Sequence, residues 1–91
     1  MYKIIETKSY KKKIIKFFKK HKDLLPKYEK VIYLLETNPF HPSLRLHKLK
    51  GKMGDLYSVS LDMQYRIILD FVVIDKQIVL IDIGIHDEVY Q

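Results

Sequence analysis

The chain has 91 residues, of which 47% are hydrophobic, and a formal net charge of +6. This size and composition predict one domain, residues 1–91, with a single core, and they exclude a disordered chain. The absence of cysteine excludes disulfides and thiolate metal sites. No apolar run approaches the roughly 18 residues that span a bilayer, and the first residues lack the apolar segment of a secretion signal, so we expect a soluble cytoplasmic protein.

Positive charge is concentrated in the first part of the chain. Residues 1–52 contain 15 basic and 4 acidic residues, a net charge of +11, whereas residues 53–91 contain 2 basic and 7 acidic residues, a net charge of −5. A basic field of this kind attracts polyanions. A solvated lysine-rich helix face is the simpler interpretation, but the asymmetry favours a nucleic-acid or acidic-protein partner at least as strongly.

The first half of the sequence predicts two helices. Residues 2–5 alternate weakly and are compatible with a short strand. Thr7 or Ser9 can then cap a helix, and Pro26 suits the first turn of a second helix that ends near Asn38. The first helix has apolar positions at helical spacing: Tyr10, Ile14, Phe17, Phe18 and His21. The short connection predicts an antiparallel helical hairpin, which must bury its apolar stripe against another element.

The second half predicts three strands, at residues 56–61, 65–73 and 77–85. In all three the odd-numbered positions are apolar, apart from Gln77 at the start of the third, so we expect the odd side chains to face the helices and the even ones to face outward. Three-residue turns at 62–64 and 74–76 preserve this parity. The predicted fold class is α+β, with a two-helix N-terminal hairpin packed on a twisted antiparallel sheet of three to four strands.

The parity argument also predicts neighbours on the outer face. Ser60 is expected opposite Arg66, Arg66 opposite Gly84, and His86 one diagonal step from Arg66. Gly84 would leave open space above the sheet. The same face carries an apolar strip that predicts a partner surface: Ile68, Ile78 and Leu80.

Several polar residues on or beside this face suit metal-free RNA cleavage. That chemistry needs a base for the 2′-hydroxyl proton, an acid for the departing 5′-oxygen and a fixed cation for the phosphoryl charge. His47 and His86 can exchange protons near neutral pH, and Arg66 offers a permanent forked cation. Tyr90 could stack on a base. A basic loop could supply phosphate contacts: Lys48, Lys50 and Lys52.

Each of these residues also has an ordinary structural interpretation. Arg66 could pair with Asp70 or Asp82, the histidines could be simple hydrogen-bonding residues, and the lysines could be merely solvated. A zinc site could use His41, His47, His86 and Asp87. It is disfavoured because no pair has metal-ligand spacing, so we expect no metal and no cofactor.

Three stretches, in this order, resemble the RelE/ParE superfamily of type II toxin–antitoxin toxins. Residues 46–52 are similar to the "L-K-G" segment of YafQ- and YoeB-like toxins. Residues 56–68 are similar to the strand that carries "Y-R-I/V". Residues 83–90 are similar to the "G-x-H-x-x-x-[FY]" ending of YafQ-like toxins.

The resemblance implies a toxin that cleaves mRNA, usually at the ribosomal A site, and that a cognate antitoxin holds inactive. It implies His47 as general base, Arg66 as the cation for transition-state charge, His86 as general acid and Tyr90 as the terminal aromatic. The sequence departs from YafQ-like toxins in three places, which leaves the acid and base roles open: Asp82 replaces an arginine, Ser60 a histidine and Gln64 an aspartate.

Two alternatives remain within the resemblance. ParE-like members poison DNA gyrase and are not nucleases, and a degenerate member would only bind its partners. The two histidines favour the nuclease, because gyrase binding requires no titrating pair.

Overall fold

The computed structural model describes residues 1–50, 55–72 and 75–85, with Val72 described by its backbone alone. The elements are strand β1 (Lys3–Glu6), helix α1 (Lys8–Lys20), helix α2 (Leu25–Thr37) and strands β2 (His47–Lys48), β3 (Tyr57–Ser60), β4 (Tyr65–Val72) and β5 (Gln77–Ile85). Short 3₁₀ turns occupy Lys22–Leu24 and Pro42–Leu44. None of the helices in this described part is long and apolar enough to cross a membrane.

Both predicted helices form. The Thr7 hydroxyl accepts a hydrogen bond from the Tyr10 amide at 3.1 Å and caps α1, as the sequence predicts. Pro26 lies in the first turn of α2, where its missing N–H costs no intrahelical bond, and Asn38 ends that helix. The helices meet through aromatic side chains, because the Tyr10 and Tyr28 hydroxyls lie 2.7 Å apart and the rings of Phe18 and Tyr28 are in edge contact.

The sheet has two strands in addition to the three predicted in the second half of the sequence. Its order is β1-β5-β4-β3-β2. The pairs β5–β4, β4–β3 and β3–β2 are antiparallel, but β1 runs parallel to β5. The predicted antiparallel sheet of three to four strands is therefore, in the part of the chain that the structure describes, a mixed sheet of five strands. β1 is the weakly alternating segment at the N-terminus, and β2 lies in what the sequence indicated as a basic loop.

The predicted register holds between the central strands. Ser60 is paired with Arg66, and Arg66 with Gly84. The first turn is closed by Asp62, whose carboxylate accepts from the Gln64 and Tyr65 amides. The second predicted turn lies partly outside the described residues.

The parity prediction is wrong for the first half of β5. Ile68 is paired with Asp82 but Leu69 with Leu80, so Ile81 is an extra residue, a β-bulge that reverses the side-chain alternation. Ile78 and Leu80 consequently belong to the main core under the helices, where both are fully buried.

The predicted outer strip of Ile68, Ile78 and Leu80 is therefore not a surface. Ile68 alone belongs to the outer face, and it too is fully buried. It packs in a small second cluster with Leu49, Leu56 and Ile81. No partner surface can be assigned to this strip.

Candidate ribonuclease site

The site is built around Arg66, on the outer face of β4. Its side chain is 9% exposed, so a permanent charge lies almost entirely within the protein. Its Nε donates to the Ser58 hydroxyl at 3.0 Å, and its Nη2 donates to the Arg45 carbonyl at 3.1 Å. Two hydrogen bonds to neutral oxygens therefore fix the guanidinium plane.

The Arg45 carbonyl reaches the site because the backbone turns sharply after the Pro42–Leu44 turn. Arg45 has a φ of 49°, in the left-handed region that costs a residue with a Cβ about 1 kcal/mol or more. The conformation lets its carbonyl accept from Arg66 and also lie 3.2 Å from the His47 Nδ1. The local strain thus contributes to placing one oxygen between two predicted site residues, Arg66 and His47.

Ser58, on β3, lies between the strands that carry His47 and Arg66. It is fully buried and is paired with His47 in the ladder, so the two side chains share a face. Its hydroxyl, already accepting from Arg66, lies 3.5 Å from the His47 Nε2, at the outer limit of a hydrogen bond.

His47 is exposed, and its proton position is linked to the other two residues. Nδ1 can donate to the Arg45 carbonyl at 3.2 Å or accept from the Arg66 Nη2 at 3.3 Å, depending on the tautomer. With the proton on Nδ1, Nε2 carries the lone pair and can act as a base. Arg66 and His47 therefore form one connected unit with Ser58 and Arg45.

The structural alternative for Arg66, a carboxylate partner on the same face, is not what the described residues show. The one salt bridge among residues 1–50, 55–72 and 75–85 joins Lys13 to Asp82, at 3.0 Å. Asp82 also accepts from the Ile83 amide. None of the carboxylates in the described part of the chain lies within salt-bridge distance of Arg66.

The comparisons with known proteins identify this architecture. No protein-family model and no curated protein matches the sequence, but several solved structures match over the whole chain. YafQ from E. coli strain BL21(DE3) matches with a TM-score of 0.81 at 18% identity, covering 100% of both chains. The E. coli DinJ–YafQ toxin–antitoxin complex matches with 0.77 at 20% identity, covering 99% of this chain and 98% of the other. A YoeB/ParE toxin from Agrobacterium tumefaciens matches with 0.74 at 17% identity, covering 92% and 98%.

The chain has the RelE/ParE fold. At these identities the similarity establishes the RelE/ParE architecture, not a shared activity. Within the RelE/ParE fold of this chain, two predicted site residues, His47 and Arg66, are brought together from β2 and β4.

The predicted RNA-binding lysines have a different placement. Lys48 is paired with Tyr57, so it lies on the opposite face of the sheet from His47 and Ser58. Lys48 and Lys50 are both exposed. Lys52, like the predicted site residues His86 and Tyr90, lies outside the described residues, and their roles stay predictions.

Sequence reasoning did not select Ser58, which makes the shortest hydrogen bond to Arg66 among the described residues. The signal was present, because Ser58 has the same parity as Arg66 and lies two residues before Ser60, the partner of Arg66 in the ladder. A serine in a strand is too ordinary for that signal to stand out. Only the three-dimensional contact distinguishes it from Ser60, whose hydroxyl donates instead to the Asp62 carbonyl at 2.7 Å.

Proposed function

We propose that this chain is the toxin of a type II toxin–antitoxin system, acting as a metal-independent endoribonuclease on mRNA. The RelE/ParE fold supports the toxin class. The nuclease assignment rests on the surroundings of Arg66. Its guanidinium is nearly buried, is held by hydrogen bonds to neutral oxygens and lies 3.3 Å from a nitrogen of His47.

In the proposed reaction, His47 acts as the base and takes the proton of a ribose 2′-hydroxyl. The 2′-oxygen attacks the neighbouring phosphorus while the bond to the 5′-oxygen breaks. His86 gives its proton to that oxygen, so the products end in a 2′,3′-cyclic phosphate and a 5′-hydroxyl. The charge that develops on the phosphoryl oxygens is stabilised by Arg66, whose geometry is already set before substrate arrives. Tyr90 stacks on a base beside the cleaved bond.

The proposed substrate is mRNA in the ribosomal A site, in the cytoplasm, and the proposed inhibitor is a cognate antitoxin. The DinJ–YafQ structure is a toxin–antitoxin complex of the same fold, which supports such a partner. Lysines of α1 present the charge that an acidic antitoxin segment would complement: Lys11, Lys12, Lys13, Lys16, Lys19 and Lys20.

Expression in a bacterium, with mapping of newly formed RNA 5′ ends, tests the proposal. The wild-type chain should produce discrete cuts within reading frames that carry 5′-hydroxyl ends. Arg66→Ala should remove them, whereas Lys12→Ala, which also loses one positive charge, should not. Arg66→Lys, whose fold is checked by circular dichroism, separates loss of the forked geometry from loss of folding.

Growth arrest with DNA damage and no RNA cuts would reject the nuclease and support gyrase poisoning. Growth arrest that is undiminished in Arg66→Ala and His86→Ala would reject the assigned site.

A further inference from the structure

A groove separate from the Arg66 site lies between α1 and the end of β5. β1 pairs with β5 only as far as Leu80. From there α1 runs alongside, since the Thr7 hydroxyl donates to the Leu80 carbonyl at 3.3 Å and Lys13 contacts Asp82 at 3.0 Å. The space between helix and strand has a volume of about 750 Å³.

The rim of this groove is strongly basic. Four lysines of α1 line it: Lys13, Lys16, Lys19 and Lys20. The one described acid in the lining is Asp82, and Lys13 already neutralises it. Three exposed ammonium groups therefore remain along one side, Lys16 and, one turn later, Lys19 and Lys20, and they can contact the phosphates of a polyanion.

The floor of the groove contains three rings in mutual contact. His21 lies 4.5 Å from Phe17 and 4.8 Å from Tyr65, between ring centroids, and Phe17 lies 5.0 Å from Tyr65. All three are half-buried. Rings on the floor of a basic groove are the combination that binds single-stranded nucleic acid, through phosphate contacts and base stacking.

One residue of the groove lining is a direct neighbour of Arg66 in the sheet. Gly84 lines the groove and is also the direct partner of Arg66 in the ladder, so their Cα atoms are about 5 Å apart. Because Gly84 has no side chain, nothing of its own stands between the groove and the outer face beside Arg66.

We propose that this groove binds single-stranded RNA, the part of the substrate strand that flanks the cleaved bond. The inference rests on the proposed nuclease function and adds a second contact region to it. An acidic peptide would satisfy the lysines equally well, but the three rings and the pairing of Gly84 with Arg66 favour RNA.

Fluorescence anisotropy with a labelled, fully 2′-O-methylated RNA, which resists cleavage, tests the proposal. An RNA of about twelve nucleotides spans site and groove, whereas one of about three covers the site alone. The groove variant is Lys16→Ala/Lys20→Ala. The matched control is Lys11→Ala/Lys12→Ala, which removes the same charge from the same helix outside the groove lining.

The groove variant should weaken binding of the long RNA about tenfold and reduce the slope of log K against log salt by about 1.4, because two phosphate contacts are lost. The control should change it less than about twofold, and binding of the short RNA should not change in either variant.

Equal weakening by both variants would overturn the proposal in favour of a general basic field. Weakened binding of an oligoglutamate peptide with unchanged RNA binding would overturn it in favour of an acidic protein segment. A failure of the proposed nuclease function can be told apart from this. The wild-type chain would then not cleave RNA, but the groove variant would still bind the long RNA more weakly than the wild type.

Discussion

Arg66 and Ser58 form a buried hydrogen bond in which the guanidinium Nε donates to the serine Oγ at 3.0 Å. Ser58 is fully buried and Arg66 nearly so. The same hydroxyl faces the His47 Nε2. Ser58 thus orients the guanidinium of Arg66, the proposed cation for transition-state charge, and also lies beside His47, the proposed base.

Replacing Ser58 by alanine should lower kcat by about ten- to a hundredfold and change KM little, because Arg66 keeps its charge but loses its fixed orientation. The unpaired Nε should also lower the free energy of unfolding by about 1–3 kcal/mol. Single-turnover cleavage and urea unfolding measure the two effects. Ser60→Ala is the matched control, since its hydroxyl bonds the Asp62 carbonyl instead. Equal loss of kcat in both variants would contradict the role given to Ser58, whereas recovery in Ser58→Thr would support it.

Replacing His86 by alanine should reduce the cleavage rate by about 10²–10⁴-fold, the usual cost of losing a general acid. An RNA analogue whose 5′-oxygen leaves readily without protonation should recover most of that loss, because it no longer needs the acid. A rate that falls equally on both substrates would show that His86 supports folding or binding rather than proton transfer.

Replacing His47 by glutamine should change the shape of the pH–rate profile. With His47 neutral as base and His86 protonated as acid, the wild-type profile should be bell-shaped. The variant should lose the acidic limb and keep the alkaline limb. Loss of the alkaline limb would reverse the two roles, and an unchanged profile would make His47 a loop residue without a catalytic part.

The buried tyrosine pair should govern stability at alkaline pH. Burial raises the pKa of Tyr10 above its ordinary value, with a further rise from Tyr28 beside it, and burial likewise raises the pKa of Tyr28. The unfolded chain loses these phenolic protons near pH 10, about their ordinary pKa, whereas the folded chain retains them. The contribution to stability is therefore complete below about pH 10 and is lost as the pH rises further.

Urea unfolding from about pH 8 to about pH 11 checks this expectation. Tyr10→Phe/Tyr28→Phe should flatten the alkaline decline in the free energy of unfolding. Tyr33→Phe, at an exposed position of α2, should leave the decline unchanged. An equally steep decline in the double variant would assign it to other groups.

Much of the site's frame follows from the sequence, because strand parity and turn length have a fixed period. They place Ser60, Arg66 and Gly84 in one row, and the ladder has that row. The bulge at Ile81 did not follow, because Ile78 and Leu80 are apolar on one parity and Val79 and Ile81 on the other. Either set could have filled the core, and only packing under the helices selected one.

The contact of Arg66 with the Arg45 carbonyl could not be predicted from the sequence either. It depends on a left-handed backbone conformation at Arg45, a residue whose side chain gives no reason to expect it. Side-chain patterns report which face a residue occupies, but not where an irregular segment directs its carbonyl oxygens.

The parallel pairing of β1 with β5 has a consequence for synthesis of the protein. Lys3 pairs with Gln77 and Glu6 with Leu80. The first strand to be synthesised, β1, therefore cannot pair until β5 has been synthesised. Contacts between such distant parts of a chain close slowly, because the entropy of a long loop is lost before they form. While residues 77–85 are still being translated, the sheet lacks β5, and Arg66 has no Gly84 beside it. The row of Ser60, Arg66 and Gly84 is therefore completed only after residues 77–85 have been synthesised and have joined the sheet.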